Sequence, residues 1–385
     1  MPFLLATEHI KRCFLGIIVF LALQSCKEKN PETVAKFKID IFDDSIESLD
    51  FSEIDSVFTF DSTGNLLLSH NLLLKVDSME LFVLDKENPN TILRLNKKGR
   101  LLNRIASVGN SPGDIPTLST FGVHEGKIEV LSPYGDKTQI FRYSRTGQLL
   151  STATLDIVCF SFVHLQADSY LFYSSYNYPE EKWRLRETKG QKVVTEYFAN
   201  NYKGVKYPIY EENFFAYGNQ SALFFETFNA NLFRVQPGKS PQVECQIDIG
   251  NFAIEDSFWD AHIMDGFAEI MKQGLYSIYR AFENETFLVI DLRFQREDGV
   301  LKSFQIFINK GSGQITKNEA NIKDQDIFAL PVVLTKDNKV GYTMNPKRLA
   351  EELARKSVNI SDRAFGSSLP SGYYDNPIIG FVALK

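Results

Sequence analysis

The chain of 385 residues carries 42 Lys and Arg against 48 Asp and Glu, a net charge of −6. That acidic balance, with no block of Lys or Arg, argues against nucleic acid as a partner, because nucleic-acid binding needs a basic footprint. Four Cys in this length exclude a disulfide scaffold.

Lys11 and Arg12 precede an apolar run of ten residues, Phe14 to Leu23. A membrane-spanning helix needs about 20 such residues, so the run matches the apolar core of a secretory signal behind a positive leader. It ends in "LQSC", residues 23–26, which resembles a lipobox, the site where bacterial signal peptidase II cuts before a lipid-carrying Cys. The chemistry requires a thiol there to take the diacylglyceryl group, and small residues before it so that the peptidase can close on the backbone. Cys26 is therefore the expected lipidation site, and its lipid the expected link to a membrane. Residues 1–25 then form the signal peptide. They hold Lys11, Arg12 and Glu8, net +1, so their removal moves the charge from −6 to −7. Residues 26–36, with the polar "KEKNPE", read as a tether.

From residue 37 onward the chain repeats. Short β-rich runs begin at 81 ("LFVLD"), 128 ("IEVLS"), 170 ("YLFYSS"), 222 ("ALFFET"), 287 ("FLVID") and 340 ("VGYTM"), spaced by 47, 42, 52, 65 and 53 residues. Downstream of the first five lies a second feature: a strand, a polar turn with glycine, and another strand. Examples are "ILRLNKKGRLL" and "IFRYSRTGQLL". The turn glycines are Gly99, Gly147, Gly190, Gly238 and Gly313. The runs alternate with period two, which marks strands rather than helices. Each unit reads as about four strands in roughly 40–50 residues, the size of a β-propeller blade. The second unit would run from an inner strand, "STFGVH", through "KIEVLS" and "TQIFRYS" to an outer "QLLSTATL". Six units predict an all-β, six-bladed propeller over residues 37–385.

Two stretches break the rhythm. Residues 254–281 carry apolar residues at helical spacing and account for the longest gap. Residues 346–356, "PKRLAEELARK", read as a helix with Pro346 in its first turn. Both are expected as insertions between strands. "EIDSVFTF", residues 53–60, and the terminal "NPIIGFVALK" are expected to share the last blade and close the ring, which removes free sheet edges.

These same stretches, with "LFVLDKENPNTILRLNKKGRLLNRIASVGNSPGDI", resemble the six-bladed β-propeller lipoproteins of Gram-negative envelopes, related to NHL-repeat proteins. "VGNSPGDI", residues 108–115, resembles that family's signature loop. Asn110 and Ser111 replace its usual glycine-rich spacing, and Asp114 stands for its usual Glu. The resemblance implies the fold and an outer-membrane or other envelope location. It implies no activity.

The residues themselves offer little catalysis. Gly109 and Gly113 precede strand sequence, not the helix a phosphate loop requires, so they read as a turn between blades. No metal-ligand spacing and no GxSxG occurs, and no metal or other cofactor is expected. Asp85, Asp136 and Asp291 sit at strand ends, where turns favour Asp. His70, His124 and His164 fall on the predicted inner strands of the first three blades, which would line the central channel. Tyr176, Tyr178 and Trp183 lie in the polar stretch "SSYNYPEEKW" and are candidates for stacking on a sugar or a partner. Cys159 and Cys245 lie in strand-like runs and read as buried thiols. The reading is a monomeric, lipid-anchored binding or scaffold module with a glycan, peptide or envelope-protein partner. The alternative is a propeller enzyme, either a metal-assisted lactonase or a sugar-active lyase or hydrolase.

Overall fold

The computed structural model describes residues 35–49, 51–60, 67–77, 80–111, 113–202, 204, 208–209, 211–217, 220–361 and 376–385. Cys26 and most of the tether lie outside them.

Six sheets form the six blades of a propeller. Blade 1 runs outward through Leu72–Asp77, Glu80–Asp85, Ile92–Asn96 and Leu101–Ile105. Blade 2 consists of Thr120–His124, Lys127–Tyr134, Lys137–Tyr143 and Leu149–Leu155. Blade 3 follows with Ser161–Gln166, Ser169–Tyr173, Trp183–Lys189 and Lys192–Ala199. Blade 4 has Phe214–Tyr217, Ser221–Phe224, Asn231–Gln236 and Lys239–Asp248, and blade 5 has Leu275–Glu283, Phe287–Gln295, Leu301–Asn309 and Ile315–Asn321. Within each blade, consecutive strands pair antiparallel, as short polar turns between alternating runs dictate.

One sheet cannot bury both of its faces, so the apolar residues collect between blades. Phe82, Leu84 and Ile92 of blade 1 meet Phe121, Ile128 and Val130 of blade 2. Equivalent clusters fill the other five interfaces around the ring. Cys159 and Cys245 are both free and buried, and burial pushes each thiol up to about 12.

Blade 6 closes the ring with both ends of the fold. Its inner strands are Pro331–Leu334 and Lys339–Met344. The third is the C-terminal Ile378–Ala383, and the outermost is Ser56–Thr59. The last two pair antiparallel, with Ile378 opposite Thr59 and Phe381 opposite Ser56. One turn glycine shows why the residue type is needed. Gly99 has φ +76°, and a Cβ there would run into the carbonyl of Thr59 in blade 6. Gly147 makes the same approach one blade on, where a Cβ would lie 3.1 Å from the carbonyl of Arg104. The outer hairpin of one blade thus leans on the outer strand of the blade before it.

Ahead of blade 6 the N-terminal segment straps two other blades. Phe37–Asp40 adds a fifth, parallel strand to blade 4, with Ile39 opposite Ile247. Glu47–Ser48 adds a fifth to blade 5. Glu53–Ile54 then pairs with Asn359–Ile360 beyond the helix of blade 6.

That helix is Pro346–Arg355, capped by Asn345, whose side chain accepts from the amides of Lys347 and Arg348. Between blades 4 and 5, a 3-10 turn at Gly250–Phe252 precedes two α-helices, Asp256–Asp260 and Ile263–Gln273. The predicted insertion over 254–281 therefore ends early. Gly274 closes the second helix, and residues 275–281 belong to the inner strand of blade 5. The apolar spacing of "LYSIYRA" fits either period, and pairing with Phe287–Gln295 decides it.

Candidate functional site

A cavity of about 450 Å³ lies on the propeller axis and takes lining residues from all six blades. That volume is typical of a small-molecule site. Its charged and polar groups come from the inner strands, from the residues just before them, and from the second strands of blades 1 and 2.

A β-bulge in blade 5 supplies two of them. Ile278 pairs with Leu292 and Arg280 with Asp291, so Tyr279 is the extra residue. A bulge re-aims side chains, and here both Tyr279 and Arg280 line the cavity. The Arg280 guanidinium donates from Nη1 to the carbonyl of Pro331 in blade 6 at 2.8 Å. From Nη2 it donates to the Leu72 carbonyl at 3.1 Å and to Asn71 Oδ1 at 3.3 Å, both in blade 1. Tyr279 donates its hydroxyl to the same Asn71 oxygen at 3.3 Å. Its ring lies 3.8 Å from the guanidinium carbon of Arg293 and 5.2 Å from that of Arg280, close enough for cation–π attraction.

Lys86 follows the second strand of blade 1. Its backbone amide donates to the Asn71 carbonyl at 2.9 Å. Its ammonium donates to the Ser119 carbonyl of blade 2 at 3.1 Å. Burial lowers the Lys86 pKa, against the pull of Glu212 and Glu211. Glu212 takes Lys75 Nζ at 3.3 Å and the Thr120 hydroxyl. Glu211 accepts from Thr227 at 2.5 Å, and burial raises its pKa. Burial also lowers the pKa of Arg280.

The far part of the cavity holds two of the three predicted channel histidines. His124 ends the inner strand of blade 2, and His164 lies in that of blade 3. Their rings stack at 3.8 Å, and His164 stacks in turn on Tyr170 at 4.0 Å. His164 Nδ1 lies 2.8 Å from the Glu129 carboxylate, and its Nε2 lies 2.8 Å from the Ala167 carbonyl. Glu129 also takes Arg142 Nε at 2.9 Å and the Tyr170 hydroxyl at 2.6 Å. Burial works against its ionisation, but these bonds outweigh it and hold the carboxyl below its usual pKa. Burial and the neighbouring His164 lower the pKa of His124. His70 is elsewhere. It precedes the inner strand of blade 1, and its buried Nε2 has no hydrogen-bond partner among the described residues. Burial lowers its pKa.

The aromatic trio is not a joint surface. Tyr176 is 2% exposed, not in an open loop. It packs with Phe228, Phe258 and Ile263 under the inserted helices and donates its hydroxyl to the Thr227 carbonyl. The inserted helices supply the apolar cover that the local polar sequence does not announce. Tyr178 is half-buried against Tyr202. Trp183 starts the third strand of blade 3, opposite Ala199. None of the three lines the cavity. The "VGNSPGDI" turn is filled by its own Asp114, which accepts from the Ser111 amide at 2.9 Å. Among the described residues, no three His, Cys, Asp or Glu side chains converge to hold a metal ion. No described helix is long and apolar enough to cross a membrane.

The sequence profile of a family described as a domain of unknown function, DUF4934, matches residues 65–383. The chain belongs to the DUF4934 family. The match takes in the four consecutive strands of each of blades 1–5 and the inner three strands of blade 6. Among solved structures, one similar to this DUF4934 chain is a candidate exported protein of Bacteroides fragilis. Its TM-score is 0.70 at 15% identity, over 91% of this chain and 99% of that one. A protein of unknown function from Bacteroides caccae aligns at a TM-score of 0.39 and 11% identity, over 66% and 94%. Regucalcin, a calcium-binding protein of Agrobacterium tumefaciens, aligns at 0.41 and 12%, over 86% and 94%. The first supports the fold; the other two are too distant to carry an argument. No curated protein matches the sequence.

Proposed function

We propose that this DUF4934 protein is a lipid-anchored binding module of the cell envelope and that its axial cavity is the ligand site. The cavity carries the reading. It combines the volume of a small-molecule pocket with polar groups converging from blades 1, 2, 4 and 5. The "LQSC" at residues 23–26 and the described export of the Bacteroides fragilis relative support the envelope location. The ligand class that fits such a location is a glycan or peptide fragment, and the outer membrane is the expected anchoring surface.

Two experiments test this. In cells fed labelled fatty acid, the parent should take up label and sediment with membranes, while Cys26→Ala should do neither. Label on the Ala variant would refute the anchor. For the cavity, Gly122→Leu adds bulk at a lining position where a Cβ would sit 3.4 Å from the Phe162 ring. A ligand found by thermal-shift screening of envelope glycans and peptides should lose binding to this variant. Undiminished binding would place the site elsewhere.

A further inference from the structure

The charged groups lining the cavity are not all paired with one another. Glu212 is paired with Lys75, and Glu129 with Arg142. Lys86 is left facing Glu212 and Glu211, and Arg280 facing its cross-strand partner Asp291, none of them in a direct ion pair with it. Neither cation has a carboxylate within ion-pair distance among the described residues. Arg280 is held by two carbonyls and an amide oxygen, all uncharged. Lys86 gives one of its three ammonium hydrogens to a carbonyl, so two remain for another acceptor.

Buried cations are ordinarily paired, because removing a charge from water is costly. Here the protein orders the two without neutralising them. Asn71 links them: its backbone carbonyl takes the Lys86 amide, and its side-chain oxygen takes Arg280 and Tyr279. Tyr279, the extra residue of the bulge, is itself held by Arg293, whose guanidinium carbon lies 3.8 Å from its ring.

We propose that this cradle binds the carboxylate of a small acidic solute, with Lys86 and Arg280 meeting its charge and Asn71 and Tyr279 holding Arg280 in place. The inference rests on the axial cavity being the ligand site.

The test is calorimetric titration of the full-length chain in detergent with matched probes. These are glucuronate against glucose, glutarate against glutaramide, and inorganic phosphate. At least one acid should bind with a Kd below about 1 mM, and its neutral partner at least tenfold more weakly. Lys86→Met and Arg280→Met should each weaken the acid at least tenfold, while Lys86→Arg should restore most of the affinity. Circular dichroism melts confirm that each variant folds. Binding of phosphate alone, equal binding of acid and neutral partner, or no binding by either acid would overturn the proposal. Neutral-probe binding that Gly122→Leu abolishes and both Met variants leave intact would refute acid recognition while sparing the cavity. Acid binding unchanged in Gly122→Leu would refute both.

Discussion

Deleting residues 376–385 should abolish the fold. The deletion removes Ile378–Ala383, which pairs with Lys339–Met344 on one side and Ser56–Thr59 on the other. Ile378, Ile379, Val382 and Leu384 are 1%, 1%, 4% and 8% exposed. At about 1.5–3 kcal/mol for each buried side chain, their loss costs about 6–12 kcal/mol. Folded proteins commonly have about 5–15 kcal/mol in total. The deletion also removes Asn376, whose side chain accepts from the buried Leu68 amide at 2.9 Å. Urea titration followed by far-ultraviolet circular dichroism should show no cooperative transition, or the protein should precipitate. Ile379→Ala gives a graded version that still folds, with an expected cost of about 2–5 kcal/mol. A truncated chain with the parent's midpoint and slope would refute the closure argument. So would an Ile379→Ala cost below about 0.5 kcal/mol.

Three further outcomes are expected. Gly99→Ala should destabilise by clearly more than about 1 kcal/mol, because the new Cβ meets the Thr59 carbonyl. Gly190→Ala has a similar positive φ and nothing within 4 Å, so it should cost less; equal costs in thermal melts would remove the packing argument. Glu129→Gln should cost about 3–5 kcal/mol, since it breaks a buried ion pair from one side. Because the folded pKa of Glu129 is depressed, its contribution is full above the unfolded value near 4.5 and fades as pH falls below it. The stability difference between parent and variant should shrink on acidification through that window, and a pH-independent difference would contradict the assignment. Glu211 has the opposite sign. Its raised folded pKa means that stability is lost as pH rises above the unfolded value near 4.5. Glu211→Gln should therefore raise the melting temperature at pH 7 and leave it unchanged at pH 4; a lower value at pH 7 would show that the charge is needed for folding.

The blades were legible because their determinants are local. Period-two runs and a glycine turn recur in each unit, and "IFRYSRTGQLL" alone specifies a hairpin. The strap over blades 4 and 5 was not. Phe37–Asp40 and Glu47–Ser48 are short, and their partners lie some 200 or more residues away, with no turn between to announce the pairing. The site was hidden for a related reason. Lys86 reads as one more polar residue after a strand-ending Asp. Tyr279 and Arg280 fell inside a stretch assigned to helix, and only the pairing register exposes the bulge. The signal that could have found them is a charged residue in an otherwise apolar inner strand, "LYSIYRAFE", and the acidic pair that precedes "NFFAY". His124 and His164 were placed near the axis by their strand positions. Their stacking on each other is set by the twist between blades 2 and 3, which no local pattern encodes.

The N-terminal strap also imposes an order in time. Phe37–Asp40 leaves the ribosome among the first folded residues, yet its partner strand ends at Asp248. Glu47–Ser48 waits for Ile315–Asn321, and Ser56–Thr59 waits for Ile378–Ala383. Each of the three edges must stay unpaired until its partner strand, ending at Asp248, Asn321 or Ala383, has been made, and exposed edges of that kind invite wrong partners. Blades 1, 2 and 3 contain all their own strands and can form early. The second half of the ring assembles onto a segment made long before it. A chain stalled before its final strand would therefore present half a propeller and a loose leading arm, which is the form a protease should find first.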